Sequence, residues 1–264
     1  MSSRVVPGTS AVVTGSARGI GRAVAARLVA DGLRVVVADL DGEAARRTAE
    51  EIGAVEGLAQ DVRDPASHGL VADAAERHGP LAVWVNNAGV GFDGDLADLS
   101  ETHVRGLVDV NLVGVVWGMR TALERFHGQG ELVNVASLSG LGPVPGLSLY
   151  AATKAAVVSL TSSVSMEAPR GVGVHAVLPD GVATPLLADM ADDGRAKALV
   201  HSGGRILSPE EVADAVAELL GSSRVLRTLP GRRGAVMRLA ALAPSVSARV
   251  MGLVTAQGRR ALRS

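Results

Sequence analysis

The stretch Thr14-Gly15-Ser16-Ala17-Arg18-Gly19-Ile20-Gly21 decides the fold of this chain. It follows a short β-branched run, Ala11–Thr14, and leads into an amphipathic helical segment, Gly21–Asp31. Glycines between a strand and a helix permit a tight turn and let the backbone and the helix N-terminus approach a pyrophosphate closely. The G-x-x-x-G-x-G spacing differs from the ordinary dinucleotide fingerprint, G-x-G-x-x-G. We predict a dinucleotide site at this turn, with contacts from Gly15, Arg18, Gly19, Ile20 and Gly21.

Strand-like and helix-like segments alternate along the rest of the chain. The strand-like runs are Ala11–Thr14, Arg34–Ala38, Val55–Leu58, Ala82–Val85, Glu131–Ala136, Val172–Leu178 and Arg224–Thr228. The helical stretches are Gly21–Asp31, Gly42–Ile52, Pro65–His78, Glu101–Arg125, Tyr150–Glu167 and Pro209–Leu220. This alternation predicts one α/β domain on a doubly wound parallel sheet of about seven strands, in three layers. Ligands of such sheets bind beyond the carboxyl ends of the strands.

The composition excludes several kinds of site. The chain has no cysteine, which rules out disulfides and thiolate metal sites. Its six histidines, at positions 68, 78, 103, 127, 175 and 201, are scattered without ligand spacing, so we predict no metal site. The N-terminus lacks an apolar signal region, and the uncharged stretch Leu132–Thr153 is interrupted by serine, glycine and proline. We therefore expect a cytoplasmic protein.

The C-terminal part of the chain differs in charge from the rest. Residues 1–223 carry 17 basic and 27 acidic side chains, whereas residues 224–264 carry nine arginines and no acid. We expect residues 230–264 to form a basic amphipathic helical extension of the domain. Three partners fit it: its own acidic domain or a neighbouring subunit, an anionic membrane surface, or nucleic acid. We favour the first over a peripheral membrane contact and predict no nucleic-acid binding, because no aromatic residue interleaves these arginines.

An acidic residue at the end of the second strand bears on the choice of cofactor. Asp39 follows the glycines by about twenty residues, where a carboxylate accepts hydrogen bonds from the adenosine ribose hydroxyls and repels a 2′-phosphate. Arg18 argues the other way, because a cation in the turn attracts a 2′-phosphate. We give Asp39 the greater weight and predict NAD rather than NADP. Asp61 and Val62 follow the third strand and are expected to border the adenine.

The pair Tyr150 and Lys154 has the chemistry of an acid/base. The two residues are four apart in a helical stretch and therefore share one face. A free tyrosine, with a pKa of about 10, is a poor base at neutral pH. A nearby ammonium and the positive charge of an oxidised nicotinamide favour the phenolate, so we expect them to lower the pKa of Tyr150. Ser137, just after the fifth strand, can hydrogen-bond an alcohol or carbonyl oxygen.

Over roughly residues 8–220 the chain resembles the single-domain short-chain dehydrogenase/reductase family, which has a Rossmann-type fold. The resemblance rests on the glycine turn, the stretch Asn86-Asn87-Ala88-Gly89, Asn111, Ser137, and the Tyr150-x-x-x-Lys154 motif, in this order and at the family's spacing. It implies that Lys154 also holds the nicotinamide ribose and that Asn111 anchors a water linking Lys154 to solvent. It also implies a dimer or tetramer, and cofactor contacts from Asn87, Ala88, Gly89, Val182 and Thr184.

Two features depart from the family pattern. Asp180 follows Pro179 where the family usually has glycine, and the arginine-rich extension continues beyond the last strand. We place the dehydrogenase domain at residues 1–229, with a substrate lid at about 184–207. The segments expected around the substrate are apolar and contain no arginine cluster to hold a phosphate or carboxylate, so we predict a hydrophobic substrate. The apolar residues are Val90, Phe92, Val144, Leu147, Leu149, Pro185, Leu186, Leu187 and Met190.

These features predict an NAD-dependent oxidoreductase that moves a hydride between the nicotinamide and a secondary alcohol or ketone. The predicted catalytic residues are Asn111, Ser137, Tyr150 and Lys154. An NADPH-dependent ketoreductase is the nearest alternative. A dinucleotide-binding regulator without turnover is a second alternative, although such proteins typically lose the tyrosine or the lysine. Sugar-nucleotide epimerases usually have a different glycine spacing and a larger C-terminal domain.

Overall fold

The computed structural model describes residues 6–188, 195–202, 205–242 and 245. Its centre is a parallel sheet of seven strands in the order β3-β2-β1-β4-β5-β6-β7, so the chain reverses direction across the sheet between β1 and β4. This arrangement confirms the predicted doubly wound fold, and the crevice at the reversal is where such folds bind ligands. The strands are β1 (Ser10–Thr14), β2 (Arg34–Asp39), β3 (Glu56–Ala59), β4 (Leu81–Asn86), β5 (Gly130–Val135), β6 (Val172–Pro179) and β7 (Leu226–Leu229).

Helices cover both faces of the sheet and bury its aliphatic side chains. On one face, α1 and α9 pack against each other and, with α2, cover a core that includes Val13, Val37 and Val133. On the other face, α3, α5 and α6 cover Val12, Trp84 and Leu132. The helices are α1 (Gly19–Ala30), α2 (Gly42–Ile52), α3 (Pro65–Glu76), α4 (Glu101–Val108), α5 (Gly114–Arg125), α6 (Ser148–Glu167), α7 (Pro185–Ala188), α8 (Arg195–His201), α9 (Pro209–Leu219) and α10 (Gly231–Leu242).

The predicted helix Glu101–Arg125 is interrupted by a π-helical turn, Asp109–Val113, between α4 and α5. By length and composition this helical run is apolar enough to cross a membrane. Its apolar inner residues, such as Leu107 and Met119, are instead buried in the protein. The other predicted elements are present with ends shifted by at most two residues. Ser208 begins α9 with a complete capping box, in which its side chain and that of Glu211 bond each other's backbone N–H groups.

A chain of buried polar side chains joins β4 and β5 to α6. Trp84 Nε1 donates to Asn86 Oδ1 at 2.8 Å, and Asn86 Nδ2 donates to Asn134 Oδ1 at 2.9 Å. Asn134 Nδ2 then donates to Thr161 Oγ1 at 3.0 Å. All four side chains are nearly inaccessible to solvent. Because each buried polar group has a partner, the network holds the two strands in one register at little cost in desolvation.

Gly118→Ala should lower the free energy of unfolding by about 2 kcal/mol. A Cβ atom at Gly118 in α5 would overlap the Oδ1 atom of Asn86 and lie 3.0 Å from Trp84 Nε1. The helix must then move away from the sheet, or Asn86 must give up a buried hydrogen bond. Chemical denaturation measures the effect. The control is Gly69→Ala in α3, where no heavy atom lies within 4 Å of the added Cβ.

Gly69→Ala should raise the free energy of unfolding by about 0.5–1 kcal/mol, because alanine is the better helix former. Equal effects of the two substitutions would show that the Asn86 network does not restrict the position of α5.

Candidate active site

The glycine turn and the Asn87-Ala88 turn form one packed unit after β1 and β4. Asn87 Nδ2 donates to the carbonyl oxygens of Thr14 (2.9 Å) and Gly15 (2.8 Å). The Thr14 hydroxyl in turn accepts the backbone N–H groups of Asn87 and Ala88 at 3.0 and 3.1 Å. Gly15 has φ of +60°, and a Cβ there would lie 2.6 Å from the Cα of Ala88. Only glycine therefore allows the two turns to meet.

Asp39 lies beside the glycine turn, as the sequence predicted. The backbone N–H of Ala17 donates to Asp39 Oδ2 at 3.0 Å, and Thr48 Oγ1 in α2 donates to the Ala17 carbonyl at 2.8 Å. These bonds hold the end of β2 against the turn. Asp61 follows β3 nearby, and hydrogen bonds from Arg63 keep the pKa of its carboxyl below the usual range.

A single cleft of about 1580 Å³ runs over the carboxyl ends of the strands. Its volume exceeds the range of about 300–1,000 Å³ that holds one small ligand, so it can take a dinucleotide and a substrate together. Two predicted site residues do not line it: Gly21 lies beneath the turn, against Asn87, and Asn111 is buried behind Gly89. The predicted residues that line it are Gly15, Arg18, Gly19, Ile20, Asp39, Asp61, Val62, Asn87, Ala88, Gly89, Ser137, Tyr150, Lys154, Val182 and Thr184.

Ser137, Tyr150 and Lys154 lie together in this cleft. The Ser137 side chain lies beside the Tyr150 hydroxyl, and Lys154 Nζ lies 5.7 Å from the centre of the tyrosine ring. Lys154 Nζ donates to the carbonyl of Val135 in β5 at 3.0 Å. Ser139 Oγ donates to Ser137 Oγ at 2.8 Å. Ser137 can therefore donate its own hydroxyl proton to the Tyr150 oxygen or to another oxygen in the cleft.

Burial shifts the pKa of Tyr150 and that of Lys154 in the direction that favours the neutral form of each side chain. It raises the pKa of Tyr150 to about 12, against the opposing effect of the Ser137 hydrogen bond. It also lowers the pKa of Lys154 to about 8. Without a cofactor the pKa of Tyr150 is thus above its usual value, because desolvation of the phenolate outweighs the effect of Ser137. The predicted lowering includes the charge of the oxidised nicotinamide and stays a prediction. To make Tyr150 a base, a positive charge bound in the cleft must offset the desolvation cost of the phenolate.

Asn111 lies in the π-helical turn, and the fold turns its side chain inward. Its amide oxygen accepts the backbone N–H of Val90 and its Nδ2 donates to the Val90 carbonyl, both at 2.8 Å. Nδ2 also lies 3.4 Å from Thr153 Oγ1, and that hydroxyl donates to the carbonyl of Tyr150. The side chain thus ties the loop after β4 to the helix that carries Tyr150. Its water-anchoring role stays a prediction.

The two ends of the predicted lid are paired. Val182 and Leu207 form a parallel bridge, and Ala183 N–H donates to the Leu207 carbonyl at 2.9 Å. The segment between them therefore leaves the domain and returns at one point. It carries α7 and α8, and Leu186 and Leu187 of α7 line the cleft. Residues 189–194, which include Met190, and residues 203–204 lie outside the described residues.

The two departures from the family pattern meet at one ion pair. Arg233 Nε in α10 lies 2.9 Å from Asp180 Oδ2, just after β6. Burial raises the pKa of Asp180, and the charge of Arg233 opposes that rise. Arg232 and Arg233 both line the cleft. The extension therefore folds back over the domain and adds two arginines to the wall of the cleft, one of which is paired with Asp180. Residues 243–244 and 246–264 of the extension lie outside the described residues.

Four residues at the site were not predicted from the sequence. Thr14, Ser139 and Thr153 hold predicted residues in place through hydrogen bonds, and Arg233 pairs with Asp180. Ser139 and Thr153 lie two and one residues from predicted ones, which is a weak local signal. Arg233 carries no local signal that separates it from the other arginines of the extension.

Comparisons with known proteins agree with this geometry. The family model described as short chain dehydrogenase matches residues 9–195. The chain is similar to 4-formylbenzenesulfonate dehydrogenase of Comamonas testosteroni, with 40% identity over 79% of this chain and 89% of the relative. It is also similar to 3-alpha-(or 20-beta)-hydroxysteroid dehydrogenase of Mycobacterium tuberculosis, with 35% identity over 83% of this chain and 84% of that protein.

Solved structures show the same fold with either nicotinamide dinucleotide. A short-chain dehydrogenase/reductase from Burkholderia phymatum in complex with NAD superposes with a TM-score of 0.81, at 29% identity, over 91% of this chain and 95% of that one. An actinorhodin polyketide ketoreductase with NADPH superposes with a TM-score of 0.78, at 31% identity, over 89% of this chain and 99% of that one. The chain belongs to the short-chain dehydrogenase/reductase family of oxidoreductases.

Proposed function

We propose that the protein is an NAD-dependent dehydrogenase of hydrophobic secondary alcohols, with Tyr150 as its acid/base. One observation carries the proposal: Ser137 and Lys154 lie beside Tyr150 in the cleft that also contains the glycine turn. This arrangement puts a proton acceptor and a hydrogen-bond donor within reach of one substrate oxygen. The reaction class also agrees with the names of the relatives.

The described residues fit a nicotinamide dinucleotide. The turn at Gly15, which a side chain would block, leaves the N-terminus of α1 open to a pyrophosphate, and Asp39 suits the adenosine ribose hydroxyls. Lys154 keeps N–H groups beyond the one given to Val135, and these suit the nicotinamide ribose. When bound, the dinucleotide supplies the hydride acceptor or donor.

Each polar side chain of the site has its own role in the reaction of the alcohol. Ser137 donates its free proton to the substrate oxygen and holds it beside Tyr150. Tyr150 accepts the hydroxyl proton in oxidation and returns it in reduction. The Lys154 ammonium stabilises the phenolate form, and Asn111 holds the loop after β4 against the helix of Tyr150.

An NADPH-dependent ketoreductase is the alternative, and Arg18 is the observation that favours it. This arginine lines the cleft in the glycine turn, where a cation attracts a 2′-phosphate. We prefer NAD because the Asp39 carboxylate lies against the same turn, at Ala17. A regulator without turnover is disfavoured, since the tyrosine, lysine and serine are all present and adjacent.

The substrate end of the cleft supports a hydrophobic alcohol or ketone. Its lining includes Val90, Phe92, Val144, Leu186 and Leu187. Phe92 is in turn stacked on His103 at 4.2 Å between ring centres, which fixes that wall. The hydroxysteroid dehydrogenase among the relatives is named for a substrate of this chemical class.

The test is a fluorescence titration of the purified protein with NADH and NADPH, followed by a panel of secondary alcohols with the preferred cofactor. We expect tighter binding of NADH and turnover of apolar alcohols. Preference for NADPH would turn the assignment toward the ketoreductase. Binding of neither dinucleotide, or turnover confined to charged sugars and hydroxy acids, would contradict the proposal.

Asp39→Ser should weaken NADH binding about 10- to 100-fold and abolish the discrimination against NADPH. The substitution removes charge-assisted hydrogen bonds to the ribose, each worth about 1.5–3 kcal/mol, together with the repulsion of a 2′-phosphate. Fluorescence titration with both cofactors gives the ratio of dissociation constants. Asp98→Ser, an exposed acid outside the cleft, is the matched control. An unchanged ratio would show that Asp39 does not select the cofactor.

A further inference from the structure

The C-terminal helix α10 packs on its own active site. Gly234 is buried against β7, where an added Cβ would lie 2.5 Å from the Cβ of Thr228. One turn further along, the Met237 Cε atom lies 3.4 Å from the Cβ position of Gly142, which follows the short turn carrying Ser139. The helix is therefore held against both the last strand and the loop after Ser137.

Arg233 joins this helix to two other segments around the cleft. Its Nε pairs with Asp180 at 2.9 Å, and its Nη2 donates to the Leu199 carbonyl in α8 at 2.9 Å. Nη2 also reaches Ser202 Oγ at 3.3 Å. Only 11% of the Asp180 side chain is exposed, so the pair is largely shielded from water and from salt. One guanidinium thus fixes the extension, the loop after β6 and the lid relative to one another.

Beside Arg232 and Arg233, the face of α10 that borders the cleft carries exposed apolar side chains. Val236 and Leu239 are 63% and 67% exposed, and both line the cleft that holds Ser137 and Tyr150. Large apolar side chains left open on the wall of a ligand cleft mark a contact surface. Leu242, on the same helix and 82% exposed, does not line the cleft.

We propose that α10 is the substrate-recognition wall of this enzyme, held in place by Arg233, and that it selects alcohols with a bulky apolar body. The inference rests on the proposed function. The carbinol carbon lies at Ser137 and Tyr150, and the remainder of the substrate extends onto Val236 and Leu239. A small alcohol occupies only the inner part of the cleft and does not reach the helix. Arg233 is a positioning residue, because it acts on the substrate through α10 and the lid.

The test compares a four-ring alcohol, androsterone, with a one-ring alcohol, cyclohexanol. Equilibrium dialysis measures androsterone binding to the full-length protein with and without NADH, so the readout does not depend on turnover. The double variant Val236→Thr, Leu239→Gln should bind androsterone about tenfold more weakly, as expected for lost apolar contacts in a pocket. Leu242→Gln should bind it as the wild type does. The KM for cyclohexanol and the dissociation constant of NADH should change less than twofold in both.

Arg233 is tested by the same measurements. Arg233→Ala should weaken androsterone binding about tenfold and raise the KM for cyclohexanol by a smaller factor. Arg233→Lys keeps the charge facing Asp180 but not the second set of contacts through Nη2, and should recover only part of the binding. A residue that only stabilised the fold would lower kcat and binding for both alcohols alike.

Three results would overturn the inference. They are no binding of androsterone by the wild type, equal binding by all variants, and a change in sedimentation of the double variant without a change in binding. The last would make this face an interface between copies of the chain. If the variants differ in binding as expected but no alcohol is turned over by the wild type, the proposed function fails and the recognition surface stands.

Discussion

Tyr150→Phe should lower kcat about 10³- to 10⁴-fold while NADH binding stays within about threefold. General acid/base catalysis contributes about 10²- to 10⁴-fold, and the upper part of this range applies because no other tyrosine exists in the chain. Ser137 remains bonded to Ser139 in the variant, so the site keeps its shape. The measurement is steady-state oxidation of the best alcohol found, together with fluorescence titration of NADH.

The NADH titration is the control that separates chemistry from binding. Loss of turnover with intact NADH binding assigns the proton transfer to the Tyr150 hydroxyl. A variant that retains a tenth or more of the wild-type kcat would mean that another group, or water, exchanges the proton.

Lys154→Met should lower kcat about 10²- to 10³-fold and also make the protein more stable at pH 7. The activity falls because the phenolate loses its neighbouring positive charge. The stability rises because burial lowers the pKa of Lys154 from 10.5 to about 8, which corresponds to a cost of about 3 kcal/mol for keeping the ammonium buried. The lost hydrogen bond to Val135 offsets about 1 kcal/mol. The net gain in the free energy of unfolding is therefore about 2 kcal/mol.

The stability gain should disappear at high pH. Between the folded pKa of about 8 and the unfolded value of 10.5, the unfolded chain binds more protons at Lys154 than the folded one. The wild type therefore becomes more stable, relative to the variant, as pH rises through this window. Chemical denaturation at pH 7 and pH 10 should show the gap narrowing by about 2 kcal/mol. Lys197→Met, at the only other lysine, controls for removal of a positive charge. A gap that is equal at both pH values would show that Lys154 is not destabilising when charged.

Local patterns in the chain were sufficient for the architecture. The alternation of β-branched runs with amphipathic stretches predicted all seven strands. A parallel strand is buried on both faces and is therefore a short apolar run, which can be found in the sequence without knowing which strands lie beside it. The turn at Gly15 was predicted from local glycine spacing, whereas its close contact with Ala88 is a tertiary requirement. The π-helical turn at Asn111 was not predicted, because helical periodicity continues on either side of it.

The cytoplasmic location, the oligomeric state and the domain limits remain predictions. So do the roles assigned to individual site residues, for which the experiments above are designed. The titration of Asp39→Ser tests the preference for NAD over NADP, and the alcohol panel tests the proposed substrate class.

The sequence by itself determined the doubly wound fold, the family and most of the predicted polar residues that line the cleft. These follow from short-range spacing and from the rule that strand ends converge at one edge of a parallel sheet. The tertiary structure alone decided which distant residues become partners: Asn86 with Asn134, Asn111 with Val90, and Asp180 with Arg233. It also decided how deeply Tyr150 is buried, which raises the pKa of its hydroxyl in the absence of a cofactor. The pairing of distant residues depends on which surfaces the fold brings together, and the pKa of Tyr150 depends on how much water those surfaces exclude. The local spacing of residues in the sequence determines neither.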